Sequence, residues 1–371
     1  MRLRNVCLSL AAALLLALPQ AAHAWAHQGH ILITRMACLR IINDPAAPEE
    51  LKTFLKKNMK YDLEACHRLA TEEMVGGEPK NYLVGLDGAC TLPDRIQGTD
   101  EGREPLPAYG VPEGRTHFLD MEYFAKEPVF KEDLSNRPEL KAFPHDVKDA
   151  RYKVAGFVPF RVEDAFDRLT GVLAQKNFDN DQAVRELGYL VHYLEDCHQP
   201  QHATIDYKSY SFLAGKVKAV HAVTTQSTDG SSFTEYRVGK TAKINPHGDV
   251  EFQLFENAEE PRKTFRADYW KELTAQIDAQ AKAGKPGPVT DEFAHALEIL
   301  SDSYAFLPAV GHAAQAAYAD DGKFDPQAFF THEATVGTEK LTILQIIARR
   351  NAAAVLEVEA ALRRAWAKGH K

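Results

Sequence analysis

The chain has 371 residues, of which 45% are hydrophobic and 26% charged, and 44 basic residues stand against 52 acidic ones. This composition is typical of a folded globular protein and excludes a disordered or fibrous chain. A formal net charge of −8 argues against a protein that holds nucleic acid by charge alone, because such binding needs a basic surface. It leaves open a protein that binds phosphate groups through metal ions.

The first 24 residues have the pattern of a secretory signal peptide. Arg2 and Arg4 precede an apolar run from Cys7 to Leu18, and Ala22-His23-Ala24 offers a small-residue cleavage site. Removing 24 residues from 371 leaves 347, and the loss of two arginines takes the formal net charge from −8 to −10. Cleavage makes Trp25 the first residue of the mature chain. We therefore expect an exported protein, either periplasmic or secreted.

Four cysteines remain after cleavage, namely Cys38, Cys66, Cys90 and Cys197. Four cysteines in an exported protein can form one or two disulfides, and the sequence alone allows three pairings. We favour Cys66 with Cys90 because these two are nearest in the sequence. No later segment approaches about 18 consecutive apolar residues, so we expect no transmembrane segment in the mature chain.

The dominant hydrophobic period of the chain is that of an α-helix. It predicts helices over residues 28–43, Glu49–Met59, Val162–Leu173, Gln182–Cys197, Tyr269–Ala283, Asp291–Ala319 and Thr342–Ala367. Alternating residues at Lys216–Thr225 and Thr234–Val238 predict one short hairpin. The predicted fold is therefore mainly α, with residues 25–371 forming a single helical domain. The stretches 76–116 and 203–246 are rich in Gly, Pro, Asp and Ser and are predicted to be long loop insertions.

The densest group of histidines lies at the end of the helix predicted over Gln182–Cys197. His192 and Asp196 are four residues apart, so they project from one face of that helix. Pro200 ends the helix, and His202 follows just beyond it. A helical His/Asp pair with a further histidine suits two neighbouring metal ions. For His192 and Asp196 alone, a simple hydrogen bond on the helix face is the preferred explanation.

Three other features favour a metal site. His247 and Glu251 repeat the spacing of four, although acidic capping of a helix N-terminus explains them equally well. His117 begins a predicted helix or extended turn. Cleavage before Trp25 exposes an α-amine that can chelate a metal together with its own carbonyl oxygen, and His30 follows five residues later. The intrinsic pKa of an α-amine, about 7.7–8.0, makes its deprotonation easy near neutrality.

Four motifs together resemble a known family. They are Trp25-Ala-His-Gln-Gly-His30, Leu92-Pro93-Asp94-Arg95-Ile96, His117-Phe118-Leu119-Asp120 and His192-x3-Asp196-x-His198-Gln-Pro-x-His202. They are similar to motifs of the trinuclear zinc nucleases, the S-one and P-one type single-strand-specific enzymes of the zinc-dependent nuclease and phospholipase C superfamily. The resemblance covers motifs from residue 25 to about residue 260, and the remainder matches only as helix.

The resemblance implies three zinc ions and a ligand set for each. The first ion would be held by Asp94, His117, His192 and Asp196, the second by the amine and carbonyl of Trp25, His30 and the other oxygen of Asp196, and the third by His202, His247 and Glu251. It also implies a hydroxide that bridges the paired zincs as nucleophile, with Asp94 as its proton acceptor. Phe118 matches a position that stacks a base, and ordinary packing explains it equally well. His198 is expected to be structural or to lie behind the ligands.

This sequence departs from the family pattern at two gaps. The long span from His202 to His247 makes His221 and Asp249 rivals of the His247/Glu251 pair. The stretched span before His117 makes Asp87 and Asp100 rivals of Asp94. Glu251 is typical of the phospholipase C branch, whereas the short Trp25-to-His30 spacing is typical of the nuclease branch.

We therefore expect a secreted phosphodiesterase that cleaves single-stranded DNA and RNA, and that can also act as a 3′-nucleotidase. It would be a monomer. The alternative is a phospholipase C acting on phosphatidylcholine, for which Tyr207–Ala214 is the candidate lipid-contacting loop. A third hypothesis is a non-catalytic zinc-binding helical protein. No Gly-x-Ser-x-Gly elbow, P-loop, Cys-x-x-Cys or dinucleotide fingerprint competes with these interpretations.

Overall fold

The computed structural model describes residues 25–71, 84–226, 232–239, 244–255, 262–284 and 287–370. Its helices, in chain order, are α1 (Ala26–Asn43), α2 (Glu49–Asn58), α3 (Leu63–Thr71), α4 (Gly85–Cys90), α5 (Leu92–Gln97), α6 (Asp100–Arg103), α7 (Tyr152–Ala155), α8 (Val158–Leu173), α9 (Asn180–Cys197), α10 (Tyr210–Leu213), α11 (Pro246–Phe255), α12 (Arg262–Ala283), α13 (Glu292–Tyr304), α14 (Leu307–Ala317), α15 (Pro326–Phe330) and α16 (Ile343–Gly369). Short 3-10 helices lie at Glu113–Thr116, Met121–Phe124, Leu140–Ala142 and Pro200–Ala203. The expected signal peptide, residues 1–24, lies outside the described ranges.

The mainly α fold class is confirmed, and its two sheets are small antiparallel hairpins. Each helix that the hydrophobic period predicts has a counterpart. The prediction of one helix over Asp291–Ala319 is wrong, because α13 ends at Tyr304 and α14 begins at Leu307. Pro308 lies in the first turn of α14, where its missing N–H costs nothing. The same proline inside a continuous helix would remove a hydrogen bond and clash with the preceding turn.

The predicted hairpin is confirmed. Strands β1 (Val220–Gln226) and β2 (Ser232–Val238) pair antiparallel, from Val220 opposite Val238 to Gln226 opposite Ser232. A second hairpin, formed by β3 (Glu333–Val336) and β4 (Glu339–Thr342), was not predicted. Its strands have four residues each, which is too short for an alternating pattern to be recognised. Gly337 opens its two-residue turn at a φ of 62°, which a residue without a Cβ adopts without strain.

The predicted loop stretches lie partly outside the described residues, and their described parts contain helices. Residues 84–103 of the first stretch form α4, α5 and α6, and the second stretch ends close to α11. Helices of four to six residues present too few turns for a helical period to be read.

Helix α9 lies at the centre of the fold, packed against α8, α4, α13 and α16. Its approach to α4 is close at Gly188, where a Cβ atom would lie 2.4 Å from the backbone of Ala89. Glycine is therefore required there. The second half of α9 is buried, including the polar side chains of His192, Glu195 and Asp196, each 0% exposed. Burial of three polar groups on one helix requires partners for all of them.

All four cysteines of the described chain are buried free thiols. The expected disulfide between Cys66 and Cys90 is therefore wrong: in the structure both are free thiols. Burial raises the pKa of the Cys66 thiol to about 12, so this thiol is not a reactive thiolate near neutral pH. Among the described helices, none combines the length and apolar character needed to cross a membrane.

Candidate metal centre

Eight of the predicted ligand side chains come from six segments of the chain and meet in two adjoining groups. The central group consists of His30 on α1, Asp94 on α5, His117 after the 3-10 helix Glu113–Thr116, and His192 and Asp196 on α9. The outer group consists of His202, in the 3-10 helix Pro200–Ala203, and His247 and Glu251 on α11. All eight are buried, with no more than 4% of any residue exposed.

In the central group, the carboxylates of Asp94 and Asp196 each bring both oxygens close to histidines. Oδ2 of Asp196 lies 3.0 Å from Nδ1 of His117 and 3.4 Å from Nε2 of His192, whereas its Oδ1 lies 3.7 Å from Nε2 of His30. Asp94 repeats this arrangement. Its Oδ1 lies 3.6 Å from His117 and His192, and its Oδ2 lies 3.8 Å from His30. Each carboxylate therefore presents one oxygen to His117 and His192 and the other to His30, whose ring stacks on that of His192 with centroids 4.1 Å apart.

In the outer group, one carboxylate oxygen faces two imidazoles. Oε1 of Glu251 lies 2.9 Å from Nε2 of His247 and 3.6 Å from Nε2 of His202. The two rings stack with centroids 5.2 Å apart and an interplanar angle of 11°. Gln199 donates a hydrogen bond from Nε2 to the same Oε1, at 3.2 Å, and so helps to fix the orientation of the carboxylate.

The second nitrogen of three histidines is held by an oxygen that is not one of the predicted ligand atoms. Nδ1 of His192 lies 2.7 Å from the carbonyl oxygen of Cys90, and Nδ1 of His202 lies 2.8 Å from that of His117. Nδ1 of His30 lies 2.5 Å from Oε2 of Glu195. A carbonyl oxygen only accepts, so the Nδ1 atoms of His192 and His202 carry the proton. Their Nε2 lone pairs then face the groups, which is the arrangement typical of metal-binding histidines.

Burial lowers the pKa of His30, His192 and His202, so these imidazoles are neutral and able to bind a metal. Burial, followed by the negative charges of Asp94 and Glu251, raises the pKa of the Asp196 carboxyl well above its ordinary value. Carboxylates gathered in a buried site repel one another, and a divalent cation between them removes that cost.

Several buried atoms in the groups lack a hydrogen bond. Within the described ranges, Nε2 of His30, Nε2 of His202 and Oδ1 of Asp196 have no hydrogen-bond partner. Such atoms are costly unless something else binds them. The donor set is imidazole nitrogen and carboxylate oxygen, which suits zinc and other first-row divalent ions. These residues therefore fit a metal centre that spans both groups.

The four rival ligands lie outside both groups. Asp87 accepts two hydrogen bonds from Arg35, at 3.1 and 2.6 Å, and is satisfied there. The Asp100 side chain is exposed, and so is His221 on β1. The Asp249 carboxylate accepts a hydrogen bond from a tyrosine hydroxyl, that of Tyr318. Asp94, His247 and Glu251 lie in the two groups, whereas their rivals do not.

Trp25 lies against the centre, but its proposed ligand atoms are part of the backbone. Its side chain is 0% exposed, and its indole Nε1 donates a hydrogen bond to the Glu195 carbonyl oxygen at 3.0 Å. This contact holds the start of α1 against the end of α9. The role of its amine as a ligand depends on cleavage and stays a prediction.

Phe118 and His198 occupy different surroundings. Phe118 is half-buried beside His117, with the Arg115 guanidinium 5.8 Å from its ring centroid, and its role in base stacking stays a prediction. His198 lies outside both groups. Its Nδ1 and carbonyl oxygen accept hydrogen bonds from Arg350 at 3.0 and 3.1 Å, which supports the expected structural role.

Sequence reasoning missed the residues that orient the ligands. They are Glu195 behind His30, Gln199 behind Glu251, and Gln97, whose Nε2 lies 3.0 Å from both Asp94 Oδ1 and Nε2 of His117. Each is within three residues of a predicted ligand in the sequence. Closeness to a predicted ligand in the sequence could have pointed to these residues, but it does not reveal which partner each of their side chains contacts.

Comparison with known proteins adds no assignment. No protein-family model matches the chain, and no curated protein matches it at a significant level.

Proposed function

We propose that this protein is a zinc-dependent phosphodiesterase that hydrolyses single-stranded DNA and RNA, related to the trinuclear zinc nucleases. The observation that carries this proposal is the central group, in which Asp94 and Asp196 each present their two oxygens to different imidazoles, with the outer group of His202, His247 and Glu251 beside it. The residues that would hold zinc are Trp25, His30, Asp94, His117, His192, Asp196, His202, His247 and Glu251. The motif resemblance supplies the reaction class, and the geometry of the side chains supports it.

Zinc bound here would lower the pKa of a bound water molecule to near neutrality, and it would neutralise charge on phosphate oxygens. The protein's own residues would do the rest. Asp94 has one oxygen near His117 and the other near His30, so it is positioned to accept a proton from water there. Glu195 and the Cys90 carbonyl hold the imidazoles of His30 and His192 in place.

The phospholipase C alternative receives less support. Besides Glu251 and the long loops, an apolar surface at Tyr207–Ala214 would favour it, but Phe212 is 6% exposed and Leu213 is 0% exposed. Phe212 packs inward, with its ring centroid 5.8 Å from that of Phe130. The apolar side chains of this segment therefore belong to the core. A non-catalytic zinc-binding protein would not need carboxylates whose two oxygens face different imidazoles.

The test is a set of initial rates on a single-stranded oligonucleotide and on phosphatidylcholine, with zinc and with chelator, for the chain beginning at Trp25. We expect chelator-sensitive release of nucleotides and little lipid hydrolysis. D196N should lose this activity. D268N, which changes an exposed aspartate on α12, should keep it. Diacylglycerol release without nucleic-acid cleavage would establish the phospholipase alternative, and no hydrolysis of either substrate would contradict both.

A further inference from the structure

Lys208 is a half-buried cation without an acidic partner. Its Nζ lies 5.3 Å from the ring centroid of Tyr207 and 5.9 Å from that of Tyr210. Burial lowers its pKa. Within the described parts of the chain, no carboxylate lies within ion-pair distance of this ammonium group. Partial burial of a charge is costly, and contact with two aromatic rings offsets only part of that cost.

Two carboxylates of this region, those of Glu122 and Asp206, already accept hydrogen bonds from other groups. Glu122 accepts hydrogen bonds from the Thr204 hydroxyl, the Ile205 amide and the Tyr304 hydroxyl. Asp206, two residues before Lys208, accepts hydrogen bonds from the backbone amides of Tyr210 and Ser211 and from the Ser211 hydroxyl. The fold therefore provides oxygen acceptors in this region and directs them to groups other than the ammonium.

Lys208 is one aromatic ring away from the outer group. The Tyr207 ring meets the His247 ring edge to face, with centroids 5.6 Å apart and an interplanar angle of 82°. The same tyrosine ring contacts the Lys208 ammonium. A ligand that reaches the outer group and continues past Tyr207 would bring its next anionic group to this lysine.

We propose that Lys208 binds a phosphate of the nucleic-acid strand next to the one being hydrolysed, and so contributes to substrate affinity. This inference rests on the proposed function. An ammonium group is a compact point charge with three donors, which suits a backbone phosphate oxygen and carries no base preference. The contact acts on binding and takes no part in the chemical step.

One phosphate contact has a measurable signature in salt. For single strands, each neutralised phosphate contributes about −0.7 to the slope of log K against log salt concentration. K208M should reduce the magnitude of that slope by about 0.7, raise KM several-fold and leave kcat close to that of the wild type. K208R should retain the slope. A purely structural lysine would change the melting temperature without changing the slope.

The experiment measures binding of a short phosphorothioate single strand by fluorescence anisotropy between about 50 and 200 mM salt. The zinc-loaded wild type is compared with K208M, K208R and K218M. Lys218 is the matched control, because it is exposed and pairs with Asp320 at 2.7 Å. K208Q, which keeps most of the aliphatic stem, replaces K208M if the latter does not fold.

A reduced slope in K208M, with the wild-type slope in K208R and K218M, is the expected result. The wild-type slope and affinity in a folded K208M would overturn the role of Lys208, while cleavage by the wild type would leave the proposed function intact. A wild type that neither binds nor cleaves the strand would overturn both proposals together.

Discussion

Nδ1 of His202 donates a hydrogen bond to the carbonyl oxygen of His117 across 2.8 Å. In return, the amide of Leu119 donates to the His202 carbonyl oxygen at 2.9 Å. The ring of His117 belongs to the central group, and Nε2 of His202 faces the outer group. These two hydrogen bonds therefore fix the relative position of the groups through the backbone, so that the groups form one centre.

Glu195 should act on metal affinity through His30. Its carboxylate lies 2.5 Å from Nδ1 of His30 and also accepts a hydrogen bond from the Thr34 hydroxyl at 2.9 Å. E195Q removes the anionic acceptor, so we expect zinc affinity to fall by about 10- to 100-fold. Competition with a chromophoric chelator measures this. E50Q, at an exposed site on α2, should bind zinc like the wild type, and equal affinity in E195Q would contradict the orienting role.

The start of the mature chain should matter for metal content. Trp25 is buried and held by Glu195, so one additional alanine before it would block the α-amine while the indole stays bound. We expect such a chain to lose zinc from the central group and most of its activity. Metal analysis of the two purified chains is the measurement. Full zinc content in the extended chain would eliminate the amine as a ligand.

His295 should make stability depend on pH. Burial alone lowers its pKa, but the carboxylate of Glu357, whose Oε1 lies 3.0 Å from Nε2, raises it above the ordinary value. The contribution to stability is therefore complete below the unfolded pKa of about 6.5 and is lost as pH rises through the folded pKa.

We expect the melting temperature of the wild type to exceed that of H295Q at low pH, and the difference to shrink as pH rises above neutrality. H221Q, at an exposed position on β1, should follow the wild type throughout. A difference between wild type and H295Q that stays constant with pH would show that the ion pair does not titrate as argued.

Arg350 should be irreplaceable by lysine. Its guanidinium donates to the carbonyl oxygen and Nδ1 of His198, at 3.1 and 3.0 Å, and to the Ser303 hydroxyl at 2.6 Å. Burial lowers its pKa to about 10. R350K cannot make this planar set of hydrogen bonds, so the free energy of unfolding should fall by roughly 1–3 kcal/mol.

Urea denaturation measures this change. Arg349, on the same turn of α16, forms an exposed ion pair with Glu339, and R349K should change the free energy of unfolding by less than about 1 kcal/mol. Similar losses in the two variants would mean that the contacts of Arg350 at the end of α9 carry no special weight.

The sequence predicted most of the long helices because each presents several turns of one apolar face. It failed at Pro308, where a helix ends and another begins without a change in apolar content. It also failed at α4 and α5, which have six residues each. Their positions depend on packing, such as the close contact of Ala89 with Gly188, and packing between distant segments leaves no periodic pattern.

The sequence predicted which side chains come together at the candidate site, but it missed the residues that orient them. His192 and Asp196 share a helix face, and the motif resemblance added His30, His117 and Asp94, which the fold brings close together. Glu195 was missed because its role depends on His30, 165 residues away in the chain. The favoured Cys66–Cys90 pairing was a guess from sequence distance, which says nothing about where buried thiols face.

The most direct test of the account is the zinc content of the purified chain that begins at Trp25, measured with its cleavage of a single-stranded oligonucleotide. Asp196 has one oxygen near His117 and the other near His30, so D196N should lose zinc and activity together. We predict three zinc ions in the wild type, fewer in D196N, and activity that returns when zinc is restored to the chelated wild type. A wild type that holds no more zinc than D196N, or that cleaves equally well in chelator, would contradict the account.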